Sequence, residues 1–181
     1  MSGNVKIKTK MKYPNQVLDA LEAAVPAWKG KLGRISVDQS GKPQGQGGVI
    51  GQPGNFDPNG KILVKHPWIE THEKNYAEIR IPSAWLKQNA PSEGGYVNGD
   101  VGLTFDPTEG TYTLVINDMD EGTGKAFGDK FSAKVEVQYG VCDVKSAISN
   151  MGGQIVSQTP VEDAGGPAIK VICRVPRKAA V

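Results

Sequence analysis

The sequence predicts an α+β fold, in which an antiparallel sheet of the ferredoxin-like or split βαβ kind carries helices on one face. Three observations predict it: a unit of strand and helix at each end of the chain, and a β-hairpin between them. The 181 residues suit one domain over 1–181, in which residues 40–75 form an inserted Gly-rich loop or arm.

Strict alternation over residues 5–12 predicts the first strand. Val5, Ile7 and Met11 are expected in the core. The other side carries a row of lysines, hereafter the lysine row: Lys6, Lys8, Lys10 and Lys12. Such a row could match phosphates or carboxylates along an anionic polymer, and it could equally protect an edge strand from pairing with another sheet. Both interpretations stay open.

A helix is predicted next, because Pro14 suits a first helical turn and an apolar stripe follows over residues 17–25. A second strand is expected at residues 34–37. Residues 40–60 then hold seven glycines and three prolines, which indicates a loop or arm. Phe56 and Trp68 are its expected apolar anchors on a partner.

The middle of the chain predicts a strand at residues 76–81, a helical turn at 82–87 and a hairpin at 100–117. Residues 88–124 contain seven acids and no lysine or arginine, so charge is unevenly distributed along the chain. Asp118, Asp120 and Glu121 are therefore predicted to meet a basic partner surface.

The C-terminal unit is predicted as strand, helix, strand, strand. Apolar and polar residues alternate over residues 131–139, which favours a half-buried strand. Asp143 is expected to cap a short helix that ends at Gly152-Gly153, and strands follow at 154–161 and 168–175. Lys134 and Arg174 would then share the outward face of the sheet with the lysine row and extend its anion-binding surface.

Composition narrows the functional classes. The net charge of +2 does not demand nucleic acid or membrane, and the sequence has no apolar run of membrane-spanning length. Its N-terminus lacks the apolar core of a secretory signal, so an intracellular, reducing location is expected. Cys142 and Cys173 are expected as small buried residues.

Short motifs in the predicted order carry a family resemblance. They lie at residues 77–81, 100–103, 112–118 and 169–175. On these residues the chain resembles the chloroplast hypothetical reading frame thirty-five family, or domain of unknown function twelve-fifty-seven, encoded by plastids, cyanobacteria and some phages. The Gly-rich arm departs from the family pattern, and Asp118 lacks the tryptophan expected after it. The family has no agreed activity, so the resemblance implies no catalytic residues; it adds the plastid stroma or a virion as locations.

Three functional classes stay open beside a virion or structural-shell role. The first is a non-catalytic interaction module within an oligomer or larger assembly, with a protein partner or a second copy and no cofactor. The second is weak, sequence-independent nucleic-acid binding through the lysine row. The third is carboxylate chemistry in the acidic block. A catalytic Ser or Cys nucleophile would need one of the two histidines, His66 or His72, as its general base. The spacing of these histidines with Glu70 and Glu73 matches no metal site of known geometry. No enzyme activity, metal or membrane contact is expected.

Overall fold

The computed structural model describes residues 3–39, 48–49, 61–64, 75–89, 99–118, 121–163 and 166–177. In chain order the elements are β1 (Gly3–Lys8), α1 (Pro14–Ala24), a 3-10 turn (Pro26–Trp28), β2 (Gly48–Val49), β3 (Ile62–Leu63), β4 (Tyr76–Ala77), β5 (Ile79–Ile81), α2 (Ser83–Asn89), β6 (Val101–Asp106), β7 (Thr111–Asp118), α3 (Glu121–Asn150), β8 (Gln154–Asp163) and β9 (Gly166–Arg174).

The central sheet confirms the predicted α+β class. Its strand order is β1-β7-β6-β5-β2, and the first four strands are antiparallel neighbours, compatible with the ferredoxin-like prediction. The short strand β2 runs parallel to β5 at the edge. The hairpin of β6 and β7 was predicted from its β-rich runs and its Pro107 to Gly110 turn, in which Gly110 has a φ of +71°.

Helices α1 and α3 cover one face of the sheet and enclose the main core. Pro14 opens α1, as predicted, because its missing N–H is not needed in a first turn. Trp28 is fully buried, and its ring centroid lies 6.4 Å from that of Phe131 on α3. The predicted strand at residues 34–37 is wrong: only Val37 makes a β-bridge, and Ile35 is held in the core by Asn15, whose side chain bonds its backbone N–H and C=O.

The second face of the sheet is covered at β6 by a further pair of short strands. Strands β3 and β4 pair with each other and lie over β6. The approach is close enough that a Cβ built on Gly102 would lie 2.5 Å from Cγ2 of Val64 and 2.9 Å from Cβ of Ala77. A glycine is needed here because the covering layer leaves no room for a side chain. Part of the predicted inserted segment, at β2 and β3, therefore belongs to the sheet structure.

Helix α3 corrects the predicted strand at residues 131–139. Phe131, Val135 and Tyr139 are four residues apart and buried against the core, so they form one stripe of a helix. Positions four apart also fall on one face of a strand, whose side chains alternate with a period of two. This helical stripe therefore fits the strand pattern as well. Asp143 lies in the middle of α3 and caps no helix end, whereas the predicted end at Gly152-Gly153 is confirmed, with Gly152 at a φ of +72°.

Strands β8 and β9 form a two-stranded hairpin that reverses along α3 and pairs with no other described strand; we call it the C-terminal hairpin. Both strands were predicted. Cys173 on β9 is exposed and Cys142 on α3 is half-buried, so the expectation that both thiols are buried was wrong. Among the described residues, no helix is long and apolar enough to cross a membrane.

Candidate functional site

The strand predicted over residues 5–12 ends at Lys8, so only Lys6 and Lys8 of the lysine row lie on β1. Val5 and Met11 are buried, Ile7 packs against the core, and all four lysines are exposed. The row is not a uniform field of positive charge, however, because Nζ of Lys8 lies 2.8 Å from a carboxylate oxygen of Glu109 in the β6–β7 turn. The hydrogen bond to Glu109 raises the pKa of Lys8. Nucleic-acid binding through this row stays a prediction.

Helix α3 fixes the part of the row that lies beyond the end of β1. The backbone N–H of Lys10 donates to Oε1 of Glu136 over 2.9 Å. The N–H of Lys12 donates to the hydroxyl oxygen of Tyr139 over 3.1 Å. These contacts position the backbone of residues 10–12 and leave both lysine side chains exposed.

The prediction that Lys134 and Arg174 extend the lysine row is wrong. The prediction required both residues to lie on strands of one sheet. Lys134 instead belongs to α3, and Arg174 ends β9 in the separate C-terminal hairpin. Lys134 lines a different surface, described below.

Three of the five predicted partner-binding residues lie outside the described part of the chain. Phe56, Trp68 and Asp120 lie outside the described residues, as do His66 and His72. The backbone of Asp118 ends β7 and that of Glu121 begins α3, while both side chains lie outside the described part. Their role in binding a partner stays a prediction.

A groove lies between α3 and the C-terminal hairpin, and we call it the helix–hairpin groove. Its volume is about 670 Å³. Its apolar lining comes from Ala133 and Val137 on α3 and from Pro160, Ala168 and Ile169 on the hairpin. Asp129, Lys130, Lys134 and Gln138 supply the polar groups of the lining.

The position of the groove follows from the helical period. Ala133 lies two residues after Phe131, which corresponds to about 200° of rotation around the helix axis. Phe131 faces the sheet core, so Ala133 faces away from it, and Val137 lies one turn further along the same outer stripe. Helix α3 is thus apolar on two opposite sides, toward the sheet and toward the C-terminal hairpin. Sequence reasoning missed this second side because it assigned the residues to a strand.

The C-terminal hairpin is unusually exposed for a β-rich segment. Within residues 154–162 and 168–177 no side chain is buried. Val156 is 58% exposed and Ile172 is 47% exposed. An isolated two-stranded hairpin is marginally stable in water, so this one depends on its contacts with α3.

The buried acids of the sheet are engaged in structural contacts. Oε2 of Glu78 accepts a hydrogen bond from the backbone N–H of Phe105 over 2.7 Å, and Oε1 lies 3.2 Å from Nζ of Lys61. Oδ2 of Asp100 lies 3.1 Å from Nε of Arg80. The buried Tyr112 hydroxyl has no hydrogen-bond partner among the described residues, and burial raises its pKa. The two carboxylates link the segments around β3, β5 and β6.

The described residues thus define an α+β protein with an exposed apolar hairpin and an open groove beneath it. No family model matches the chain, and neither a curated protein nor a solved structure matches it. The family resemblance of the sequence stays a prediction.

Proposed function

We propose that this chain is a non-catalytic interaction module that acts within an oligomer or larger assembly by docking a protein segment in the helix–hairpin groove. The observation that carries the proposal is the exposure of the C-terminal hairpin. None of its described side chains is buried, although the hairpin flanks an apolar groove. Covering this surface with another chain would stabilise the hairpin and remove apolar area from water.

The form of the groove supports a polypeptide as its ligand. The lining on α3 extends from Asp129 to Gln138, and nine residues of helix rise by about 14 Å. Four residues of an extended strand span about 13 Å. The groove therefore matches a short segment of chain, which would place apolar side chains on Ala133 and Val137 and polar groups beside Lys130.

The chemistry of the buried acids supports a non-catalytic role. Both carboxylate oxygens of Glu78 are engaged, by Lys61 and by the backbone N–H of Phe105. The second oxygen of Asp100 accepts a hydrogen bond from the N–H of Ser83 over 3.0 Å, at the start of α2. Carboxylates held in this way stabilise the fold and are poorly placed to exchange protons with a substrate.

Site-specific photo-cross-linking in the cells that make the protein tests the proposal. A photoreactive phenylalanine analogue replaces Val137 in the groove, and the control chain carries it at Lys31, which is exposed elsewhere. We expect an adduct with an identified protein at position 137 and not at 31. Adding Ala133→Arg should remove this adduct, because the longer charged side chain fills the groove. Equal labelling at both positions would refute the proposal.

A further inference from the structure

We infer that the helix–hairpin groove holds the end of helix α3 from a second copy of this chain, packed antiparallel along α3 of the first. The inference rests on the proposed function and names the partner of that site. The spacing of the apolar residues on the outer side of α3 and the order of their sizes lead to it.

The outer side of α3 carries apolar residues well beyond the groove. Six of them follow at alternating intervals of four and three residues, and we call this set the outer seam: Ala133, Val137, Gly140, Val144, Ala147 and Met151. The N–H of Met151 still donates to the carbonyl oxygen of Ala147, so the seam ends within the last helical turn. Val144 is 40% exposed and Met151 is 56% exposed. This repeat is the one by which α-helices pack along each other, so it selects a helix as the partner.

The sizes of the seam residues alternate along the helix. Small residues recur at every seventh position: Ala133, Gly140 and Ala147. Larger residues recur at the same interval: Val137, Val144 and Met151. A Cβ built on Gly140 would meet nothing within 4 Å, so the space beside this small residue is open to a side chain of another helix.

A reversed copy of the same helix places every large seam residue opposite a small one. Val144 of one copy lies opposite Gly140 of the other. The remaining pairs are Val137 with Ala147 and Met151 with Ala133. All three pairs are centred on position 142, so one two-fold axis produces each contact twice. A parallel pair of helices would place Gly140 opposite Gly140 and leave a void, so the order of sizes selects an antiparallel second copy.

The same register places the end of the second helix in the helix–hairpin groove. Ala133 and Val137 belong both to the outer seam and to the groove lining. Ala147 and Met151 of the second copy lie opposite them, so residues 147–151 of that copy fill the groove between α3 and the hairpin.

Two acids border the seam near the two-fold axis, Glu136 and Asp143, and both are engaged by their own chain. Glu136 accepts the backbone N–H of Lys10. Oδ1 of Asp143 accepts a hydrogen bond from Nε2 of Gln16 on α1 over 2.7 Å. These bonds direct both carboxylates toward residues 10–16 and away from their counterparts across the axis.

Disulfide trapping between two differently tagged chains tests the register. Both chains carry Cys142→Ser and Cys173→Ser; one then carries Ala133→Cys and the other Met151→Cys. In the control both chains carry Ala133→Cys, and the antiparallel register separates these two positions by about 27 Å of helix. We expect the 133–151 bond to form at least about tenfold faster than the 133–133 bond, because docking raises the effective concentration of the thiols.

Substitutions beside the axis test the match of sizes. Gly140→Val should weaken dimerisation at least about tenfold, because it overpacks against Val144 of the other copy while its own chain leaves the added Cβ free. Adding Val144→Ala should restore the dimer, because position 140 of each copy faces position 144 of the other. Circular dichroism shows whether each variant is folded. A folded Gly140→Val chain that dimerises like the wild type would overturn the inference.

Light scattering on the unmodified chain completes the test. We expect a mass twice that of the 19.3 kDa chain. A monomer, or a dimer in which the 133–133 bond forms as fast as the 133–151 bond, would overturn the inference. A monomer whose Val137 analogue captures a different, identified protein would leave the proposed function standing; absence of any specific adduct at position 137 would remove the proposed function itself.

Discussion

The hydroxyl oxygen of Tyr139 accepts a hydrogen bond from the backbone N–H of Tyr13, with 3.1 Å between the two atoms. The same oxygen accepts from the N–H of Lys12. Tyr13 is the residue before α1, so one side chain of α3 ties the end of the lysine row to the start of that helix.

Tyr139→Phe should lower the free energy of unfolding by about 1–2 kcal/mol, because two backbone N–H groups lose their acceptor. Burial raises the pKa of Tyr139 above its usual value of 10.0. The folded state therefore holds this proton more tightly than the unfolded state, and the stability it contributes below pH 10 is lost as the pH rises through the folded-state pKa. Urea unfolding at several pH values should show a shallower alkaline loss for Tyr139→Phe than for the wild type.

Tyr13→Phe is the matched control for this measurement, since the Tyr13 side chain is 57% exposed. We expect it to leave the stability at pH 7 nearly unchanged. If the two variants behaved alike, the hydrogen bonds of Tyr139 would not have the assigned role.

Gly128→Ala and Gly140→Ala should have opposite effects although both glycines lie in α3. A Cβ at position 128 would lie 2.5 Å from Cδ1 of Ile7 and 2.6 Å from Cδ1 of Ile116. Overpacking of this kind costs about 1–3 kcal/mol. At position 140 nothing lies within 4 Å of the added Cβ, and alanine favours the helix by about 0.5–1 kcal/mol. Both Cδ1 atoms must move to admit the Cβ at position 128. Thermal unfolding of both variants checks the pair, and a Gly128→Ala variant as stable as Gly140→Ala would contradict the close packing of α3 on β1 and β7.

The buried ion pair between Arg80 and Asp100 should contribute more than an exposed pair. Nε of Arg80 lies within 3.1 Å of Asp100 yet makes no hydrogen bond, so the contact is ionic. Asp100→Ala leaves the buried guanidinium uncompensated and should cost about 3–5 kcal/mol. The control is Asp19→Ala, which removes an exposed contact with Arg34 and should change stability by less than about 1 kcal/mol. Equal losses in chemical denaturation would contradict this assignment.

The two thiols should differ in reactivity toward a disulfide reagent at pH 7. Cys173 is exposed, whereas burial, followed by the nearby charge of Asp19, raises the pKa of the Cys142 thiol. Less thiolate is then present at position 142, so we expect slow labelling that accelerates as the pH rises. The variants Cys142→Ser and Cys173→Ser isolate each rate. Faster reaction of Cys142 would contradict its half-buried position.

The sequence carried enough information for several of the local elements and too little for the long helix and for the arrangement of the elements. Alternation identified β1, and turn residues identified the β6–β7 and C-terminal hairpins. Alternation failed for α3, because apolar residues on two opposite sides of a helix repeat every two residues, as they do in a strand. Phe131 and Val135 lie on one side, and Ala133 and Val137 on the other.

The candidate site was predictable only in part for the same reason. The first half of the exposed lysine row follows from the alternation of β1, whereas the backbone at Lys10 and Lys12 is positioned by α3. The helix–hairpin groove requires Pro160 and Ile169 to return beside Ala133, more than twenty residues away along the chain. The local signal for that return was Gly152-Gly153, whose positive φ at Gly152 permits the reversal.

The pairing of β1 with β7 has a consequence for how the protein is made. Gly3 is opposite Asp118, so the first strand cannot be paired until most of the sheet has been synthesised. At about 5–20 residues per second, the N-terminal strand waits on the order of ten seconds for its neighbour. During that interval the lysine row surrounds the unpaired strand with like charge, which opposes its association with strands of other nascent chains.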